Sequence, residues 1–332
     1  MTPMLRRRHA TGALATLTLL AAAGTWAGAA RADARYPEKP ITLVVANAAG
    51  GATDNLARAF AEELSARVGQ PVLVENIGGA SGALGAQRVL RAAPDGYTLL
   101  FGTTSEMIVT PIANRAAGYS PKDFTPIGKV GVTQMVLVSR PGLGASGVDP
   151  LVAMAKARPN GLSVGTAGNV SLQAFGAVAL QRAAGIDLLG VPYKGGAPMV
   201  NDLLAGQVDL GVTTIPTVLQ HIRAGKLVAL GVLADKRAAV APDIPTVNES
   251  AAVKGVNIEI WAALAGPPKL PAPVVDVLGR ALQALLTDKA FIERRAKNGD
   301  HTPPFEPAAD FGRYIAAEEQ RYRTLATGLK LE

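Results

Sequence analysis

Ile41-Thr42-Leu43-Val44-Val45-Ala46-Asn47-Ala48-Ala49-Gly50-Gly51-Ala52-Thr53-Asp54 decides the fold class. Residues 41–46 are a near-continuous apolar run, the mark of a parallel strand buried on both faces. Ala49-Gly50-Gly51 ends it. Leu56, Phe60, Leu64 and Val68 then recur at four-residue spacing, giving one apolar helix face that stops at Gly69. The phrase repeats at once. A strand over 71–75, the loop Gly78-Gly79-Ala80-Ser81-Gly82, a helix through Val89-Leu90, the turn Pro94-Asp95-Gly96 and a strand over 97–101 follow in order. Such a β-α-β-α-β run folds as a right-handed parallel unit.

A second series lies further along. It predicts strands over 162–165, 188–193, 208–212 and 227–233, with helices from Ser171 through Ala183, over 198–205 and over 216–224. Two such units imply an α/β protein of two lobes, each a mainly parallel sheet flanked by helices. The stretch 126–139 leads from the first lobe to the second, and 259–266 is the return. The helical tail from Pro271 has no core of its own and is expected to rejoin the first lobe. Lobe 1 is therefore expected to be discontinuous, residues 33–132 plus 258–332, and lobe 2 to be residues 133–257.

Residues 1–32 read as an address. Arg6-Arg7-Arg8 is a basic start, an Ala/Leu-rich run spans 12–23, and Ala30-Arg31-Ala32 is a small-x-small cleavage site. This reads as a secretory signal peptide, and the mature chain is expected to begin near Asp33 and to be exported. No later stretch reaches the ~18 unbroken apolar residues of a membrane span.

Composition removes whole classes of function. With 48% hydrophobic and 18% charged residues, the chain of 332 can bury a large core, which excludes disorder and coiled coil. It has no cysteine, so disulfides, Fe–S clusters and Cys nucleophiles are out, and only three histidines, His9, His221 and His301. The net charge is +7, of which the leader's four arginines supply +4, leaving +3 for the rest. A field that weak, with 5% aromatics, argues against nucleic-acid binding. Nothing in the residues requires a metal or an organic cofactor.

Three motif matches fail on context. Gly142-Leu143-Gly144-Ala145-Ser146-Gly147 fits a dinucleotide fingerprint, but Pro141 interrupts it, the helix begins only near Asp149-Pro150, and no acid follows at the right distance. Gly161-Leu162-Ser163-Val164-Gly165 fits a nucleophile elbow, yet Ser163 falls inside a strand. Gly225-Lys226 lacks the rest of a P-loop. His221 lies on an amphipathic helix beside Arg223, and His301 in a Pro-rich connection. A secreted serine hydrolase using Ser163 with either histidine is the enzyme alternative; the leading expectation is a protein that is not an enzyme.

The glycine loops support that expectation. Open parallel units bind ligands at the carboxyl ends of their strands, where each loop feeds a helix N-terminus. Free N–H groups and the positive end of the helix dipole make such loops anion sites. Ala49-Gly50-Gly51 and Gly79-Ala80-Ser81 in the first lobe, with Thr166-Ala167-Gly168-Asn169 and Gly195-Gly196 in the second, are expected to converge on one cleft.

Longer motifs carry a resemblance. Tyr36-Pro37-x-x-Pro40-Ile41, Gly50-Gly51-x-Thr53-Asp54, Glu75-Asn76-x-Gly78-Gly79-Ala80-Ser81-Gly82 and Ala93-Pro94-Asp95-Gly96-Tyr97-Thr98 resemble the Bug-type receptors of tripartite tricarboxylate transporters. Val191-Pro192-Tyr193-Lys194-Gly195-Gly196, His221-Ile222-Arg223-Ala224-Gly225-Lys226 and Pro242-Asp243-Ile244-Pro245-Thr246-Val247 extend it over essentially the whole mature chain. The resemblance implies a type II, Venus-flytrap periplasmic-binding-protein fold. It implies as partners a small organic anion and membrane transporter subunits. A liganded form read instead by a membrane sensor ectodomain is the other alternative, and the chain is expected to be a monomer that binds no nucleic acid.

Site residues follow from the same motifs. Asn47 stands where the family usually has an aromatic, Ile77 where a basic residue is common, and Thr213 where relatives often carry an acid, which argues against an amino-acid ligand. Asp54 is expected to order the first loop rather than touch an anion. Ser105, Asn169, Ser171, Tyr193 and Lys194 complete the expected ligand set, Lys194 by neutralising a carboxylate and Ser171 or Asn169 as helix cap or donor. Glu106 would repel an anion if it faced the cleft. Trp261 is either a cleft wall or core.

Overall fold

The computed structural model describes residues 36–50, 52–297 and 301–327; the leader read over 1–32, and Gly51, lie outside them. The first repeat folds as β1 (Ile41–Val45), helix α1 (Ala52–Val68), β2 (Val72–Asn76), helix α2 (Ala83–Leu90) and β3 (Thr98–Thr103). Strands β2 and β3 flank β1, both parallel to it. Because the winding reverses at β1, right-handed crossovers put α1 and α2 on opposite faces. That is why the run at 41–46 does not alternate: Ile41, Leu43, Val44 and Val45 are all fully buried.

Beyond β3 come a π-helical turn, Ser105–Val109, a short helix α3 (Thr110–Ala113) and then the long strand β4 (Thr125–Ser139). The second repeat is α4 (Val148–Ala157), β5 (Ser163–Thr166), α5 (Leu172–Ala184), β6 (Leu189–Pro192), α6 (Gly196–Leu204), β7 (Leu210–Thr214), α7 (Ile215–Arg223) and β8 (Val228–Val232). Strands β6 and β7 flank β5 in parallel, so the second lobe repeats the reversal of the first. The pieces refused as motifs are structural. The segment 142–147 is a turn with Gly142 and Gly144 at positive φ, and α4 begins after it. Ser163 lies in β5, its hydroxyl donating to Asp209 Oδ2 (3.0 Å) and accepting from the Asp209 N–H (2.9 Å).

One strand serves both lobes. Along Thr125 to Gln134, β4 pairs antiparallel with β9 (Glu259–Gly266), which pairs with β3 on its other side. From Met135 to Ser139 the same strand pairs with β7 and β8. The return is stitched to it, since the Leu233 N–H donates to the Met135 carbonyl (2.8 Å) and the Ile258 N–H to the Leu233 carbonyl (2.7 Å). The full order is β2-β1-β3-β9-β4-β7-β5-β6, with β8 also on β4.

The tail does two things. Helix α8 (Ala272–Leu286) packs on α1, and α9 (Lys289–Lys297) follows it. Helix α10 (Ala308–Ala326) packs against β4, α3 and also α5, so it touches elements of both repeats. Tyr322 meets Phe175 edge-on at 5.2 Å, and Phe311 meets Trp261 at 5.8 Å. The apolar interior is consequently continuous on this side, from Val44 and Leu100 to Phe175 and Leu180. Trp261 is fully buried in it, with Nε1 donating to Glu318 (3.4 Å), and is therefore core. Among the described residues no helix is long and apolar enough to cross a membrane.

Candidate functional site

The first-lobe loops are held by a small number of buried polar groups. Asp54, in the first turn of α1, accepts from the Gly50 N–H (2.8 Å), from Arg58 Nε (3.0 Å) and from Asn76 Nδ2 (2.9 Å). Asn76 Nδ2 also reaches the Asn47 carbonyl (3.2 Å), and Arg58 Nη2 closes the ring on Asn76 Oδ1 (3.0 Å). The Arg58 hydrogen bond, followed by those from Gly50 and Asn76, holds the Asp54 carboxyl down at about 2. Its oxygens are spent on the loop, which fixes residues 47–50 against the end of β2.

The second loop is strained. Gly79, Ala80, Ser81 and Gly82 all have positive φ (118°, 48°, 55° and 88°). For Ala80 and Ser81 this costs of the order of 1 kcal/mol each, a cost that persists only where surroundings enforce it. Here they do. A β-carbon on Gly82 would lie 2.8 Å from Glu106 Cβ, one on Gly85 would lie 2.7 Å from Ala46 Cα, and the Ser81 carbonyl accepts from Thr110 Oγ1 (2.7 Å). Ala80 and Ser81 themselves stay exposed.

Glu106 is buried and does not face solvent. It accepts from both the Thr103 N–H and the Thr103 hydroxyl, the latter at 2.7 Å. Burial pushes its carboxyl up to about 7, against the opposing pull of the Thr103 bonds. Ser105, half-buried, donates its N–H to Thr103 Oγ1 (3.2 Å). Glu106 thus pins the end of β3 beside the strained loop.

In the second lobe Ser171 caps α5, accepting from the Ala174 N–H (3.2 Å) and donating to the Gly168 carbonyl (3.3 Å). Asn169 and Lys194 are exposed. The Tyr193 hydroxyl donates to Asp202 (2.9 Å), and burial, then that bond, raises its pKa. Thr213 is buried in β7 opposite Val136, while Thr214, one residue on, stands at the N-cap position of α7 without a side-chain capping bond, its hydroxyl 2.7 Å from that of Thr217.

Elements of both repeats line a cavity of about 820 Å3. Thr53, Asn55, Leu56, Ala59, Glu62 and Glu63 of α1 line it, with Thr214, Pro216 and Thr217 from the N-terminal end of α7. Thr103, Gly131, Thr133, Ile260 and Ala262 of strands β3, β4 and β9 line it as well, as do Phe291, Arg294 and Arg295 of α9. Two helix N-termini, one per lobe, therefore address the same space, an arrangement suited to an anion. Among the described residues expected to meet a ligand, none lines this cavity. Asp54 and Thr213 sit one position away from residues that do. Sequence reasoning missed the α9 end altogether. The available signal was Gly131, a buried glycine inside a strand, which often marks the close approach of another group.

Residues 56–331 match the family described as Tripartite tricarboxylate transporter family receptor. Over 307 residues the chain is 34% identical to Protein BugT of Bordetella pertussis, covering 90% of this chain and 92% of that protein. An R. palustris protein solved with adipate superposes with a TM-score of 0.75 at 30% identity, over 89% of this chain and 99% of its own. MatC from Rhodopseudomonas palustris with bound malate gives 0.71 at 29% identity, over 87% and 99%.

Proposed function

The chain belongs to the tripartite tricarboxylate transporter receptor family, and from that premise we propose that it is a periplasmic receptor that captures a small organic-acid anion between its lobes and delivers it to membrane transporter subunits. The observation that carries the reading is the interlobe cavity addressed by the N-terminal ends of α1 and α7. Relatives solved with adipate and with malate support an organic acid as the ligand. The energetics are adequate. A charge-assisted hydrogen bond contributes about 1.5–3 kcal/mol, so three or four, less ordering costs, reach the ~8 kcal/mol of micromolar binding.

In this reading Asn47, Ala49, Gly50 and Gly51, with Gly79, Ala80, Ser81 and Ser105, receive one carboxylate through backbone amides positioned by Asp54. Asn169, Ser171, Tyr193, Lys194 and Thr213 belong to the part of lobe 2 that closes over it. The leader, residues 1–32, is removed on export. Lobe 1 is residues 33–132 plus 258–332, and lobe 2 is residues 133–257.

A thermal-shift panel of mono-, di- and tricarboxylates tests the proposal. At a hundredfold excess over Kd, binding adds ~2.7 kcal/mol of stability. A flat response across the panel contradicts it.

A further inference from the structure

We propose that Glu106 couples anion capture to proton uptake: it stands behind Thr103 as a positioning residue, and taking up a proton turns the Thr103 hydroxyl from a group spent on Glu106 into a donor for the ligand. This rests on the carboxylate reading above. It adds a pH-dependent grip that the glycine loops do not supply.

Three observations converge. Thr103 ends β3, is almost wholly buried, and lines the cavity. Its hydroxyl donates to Glu106 Oε2 (2.7 Å) and accepts from the Ser105 N–H (3.2 Å), while its own N–H donates to Glu106 Oε1. Glu106 is itself buried between that strand end and the strained loop, its β-carbon 2.8 Å from where one on Gly82 would stand. Among the described residues no cation pairs with it.

A hydroxyl has one hydrogen and two lone pairs. While Glu106 is ionised, that hydrogen belongs to the carboxylate, and Thr103 offers an anion only a lone pair. Once a proton from solvent binds Oε2, the Glu106 O–H donates to Thr103 Oγ1, Oε1 still accepts the Thr103 N–H, and the Thr103 hydrogen is released to the cavity. Protonation also removes a buried negative charge that repels an anion beside Thr103. Both effects have the same sign: an anion binds the protonated form more tightly, and so draws a proton in.

The surrounding ionisable groups leave this role to Glu106. Tyr119 faces it, donating to its main-chain carbonyl (2.6 Å), and burial first and then the Glu106 charge hold that phenol above its ordinary pKa. Strand β3, helix α3 and residues 79–82 carry no charged side chain, and Arg88 of α2 is exposed. On α10, Glu318 is tied to Arg321 (2.6 Å) and Asp310 to Arg313, while burial raises the phenols of Tyr314 and Tyr322. Burial, opposed by the Thr103 bonds, brings Glu106 itself up to about 7.

Isothermal titration from pH 6.5 to 8.5, in buffers of differing ionisation enthalpy, tests this with whichever of succinate, malate and adipate binds tightest. If binding lifts Glu106 by one unit, wild type takes up about half a proton per anion at pH 7.5 and loses roughly fivefold in affinity across the range. Glu106→Gln, whose amide donates permanently to Thr103, should take up no proton and bind with an affinity flat in pH. In wild type the 13C shift of the Glu106 carboxyl should titrate to a higher midpoint with the anion present, a measurement that needs no variant to fold. Binding without proton uptake, an uptake that survives in Glu106→Gln, or a midpoint that stays or falls overturns the proposal and leaves the carboxylate reading standing. Wild type that binds none of the three acids sinks both.

Discussion

Glu106→Gln is the substitution whose outcome can be worked out most fully from the structure. The wild-type carboxyl is buried with one residue, Thr103, donating to both of its oxygens. Burial lifts it from an ordinary 4.5 to about 7. A group raised in the folded state is neutral, and costs nothing, below its unfolded value. Stability is then lost as pH climbs from about 4.5 to about 7 and stays lost above that. At ~1.4 kcal/mol per tenfold change in the proton equilibrium, the loss is about 3 kcal/mol. For a chain of this size that corresponds to about 5 °C in Tm. Glutamine keeps the acceptor for the Thr103 N–H and can donate to the Thr103 hydroxyl, but it does not ionise. Denaturant melts of both proteins from pH 4.5 to 8 should therefore give a difference curve that rises with pH in favour of the variant, with most of the rise below pH 7. A difference that stays flat, or that falls with pH, would refute the reasoning. It would mean that the Thr103 bonds outweigh burial.

Two further outcomes follow from the loops. Gly50→Val meets no atom within 4 Å but forces a β-branched residue to φ 82°, so it should distort the N–H that Asp54 holds. Circular dichroism and Tm are expected near wild type while carboxylate binding by titration disappears; unchanged affinity moves the site elsewhere. Gly82→Ala puts a β-carbon 2.8 Å from Glu106 Cβ at φ 88° and should cost about 1–3 kcal/mol in a urea melt, whereas a neutral result would mean that loop 79–82 is free to shift away from the π turn.

Much of the scaffold could be read from residue order because burial leaves a pattern. The unbroken apolar run at 41–46 becomes β1 with both faces covered, and Phe60 and Leu64 at four-residue spacing are fully buried on α1. The stretches 126–139 and 259–266, read as the leads between lobes, lie on the strands β4 and β9. What escaped depends on contacts distant in sequence or on backbone choices that side chains do not announce. Ala80 and Ser81 take left-handed conformations in a loop whose Gly82 and Gly85 pack tightly against Glu106 and Ala46 and whose Ser81 carbonyl accepts from Thr110. Thr213 is buried in β7 while Thr214, one residue on, lines the cavity, a difference that residue order alone does not announce. The Tyr193 hydroxyl is claimed by Asp202 one helix further on. Arg295 lies far along the chain from Gly131, and no local spacing links the two.

The account stands on main-chain N–H groups from both lobes gripping one carboxylate. Its most direct test is a 15N-resolved titration of the assigned, deuterated protein with the tightest organic acid from the panel. Saturable shifts are predicted at the amides of residues 49–51 and 79–81 in one lobe and of residues 168–171, 213–215 and 217 in the other, with a single shared Kd. Shifts confined to one lobe, or scattered away from these loops, would contradict it.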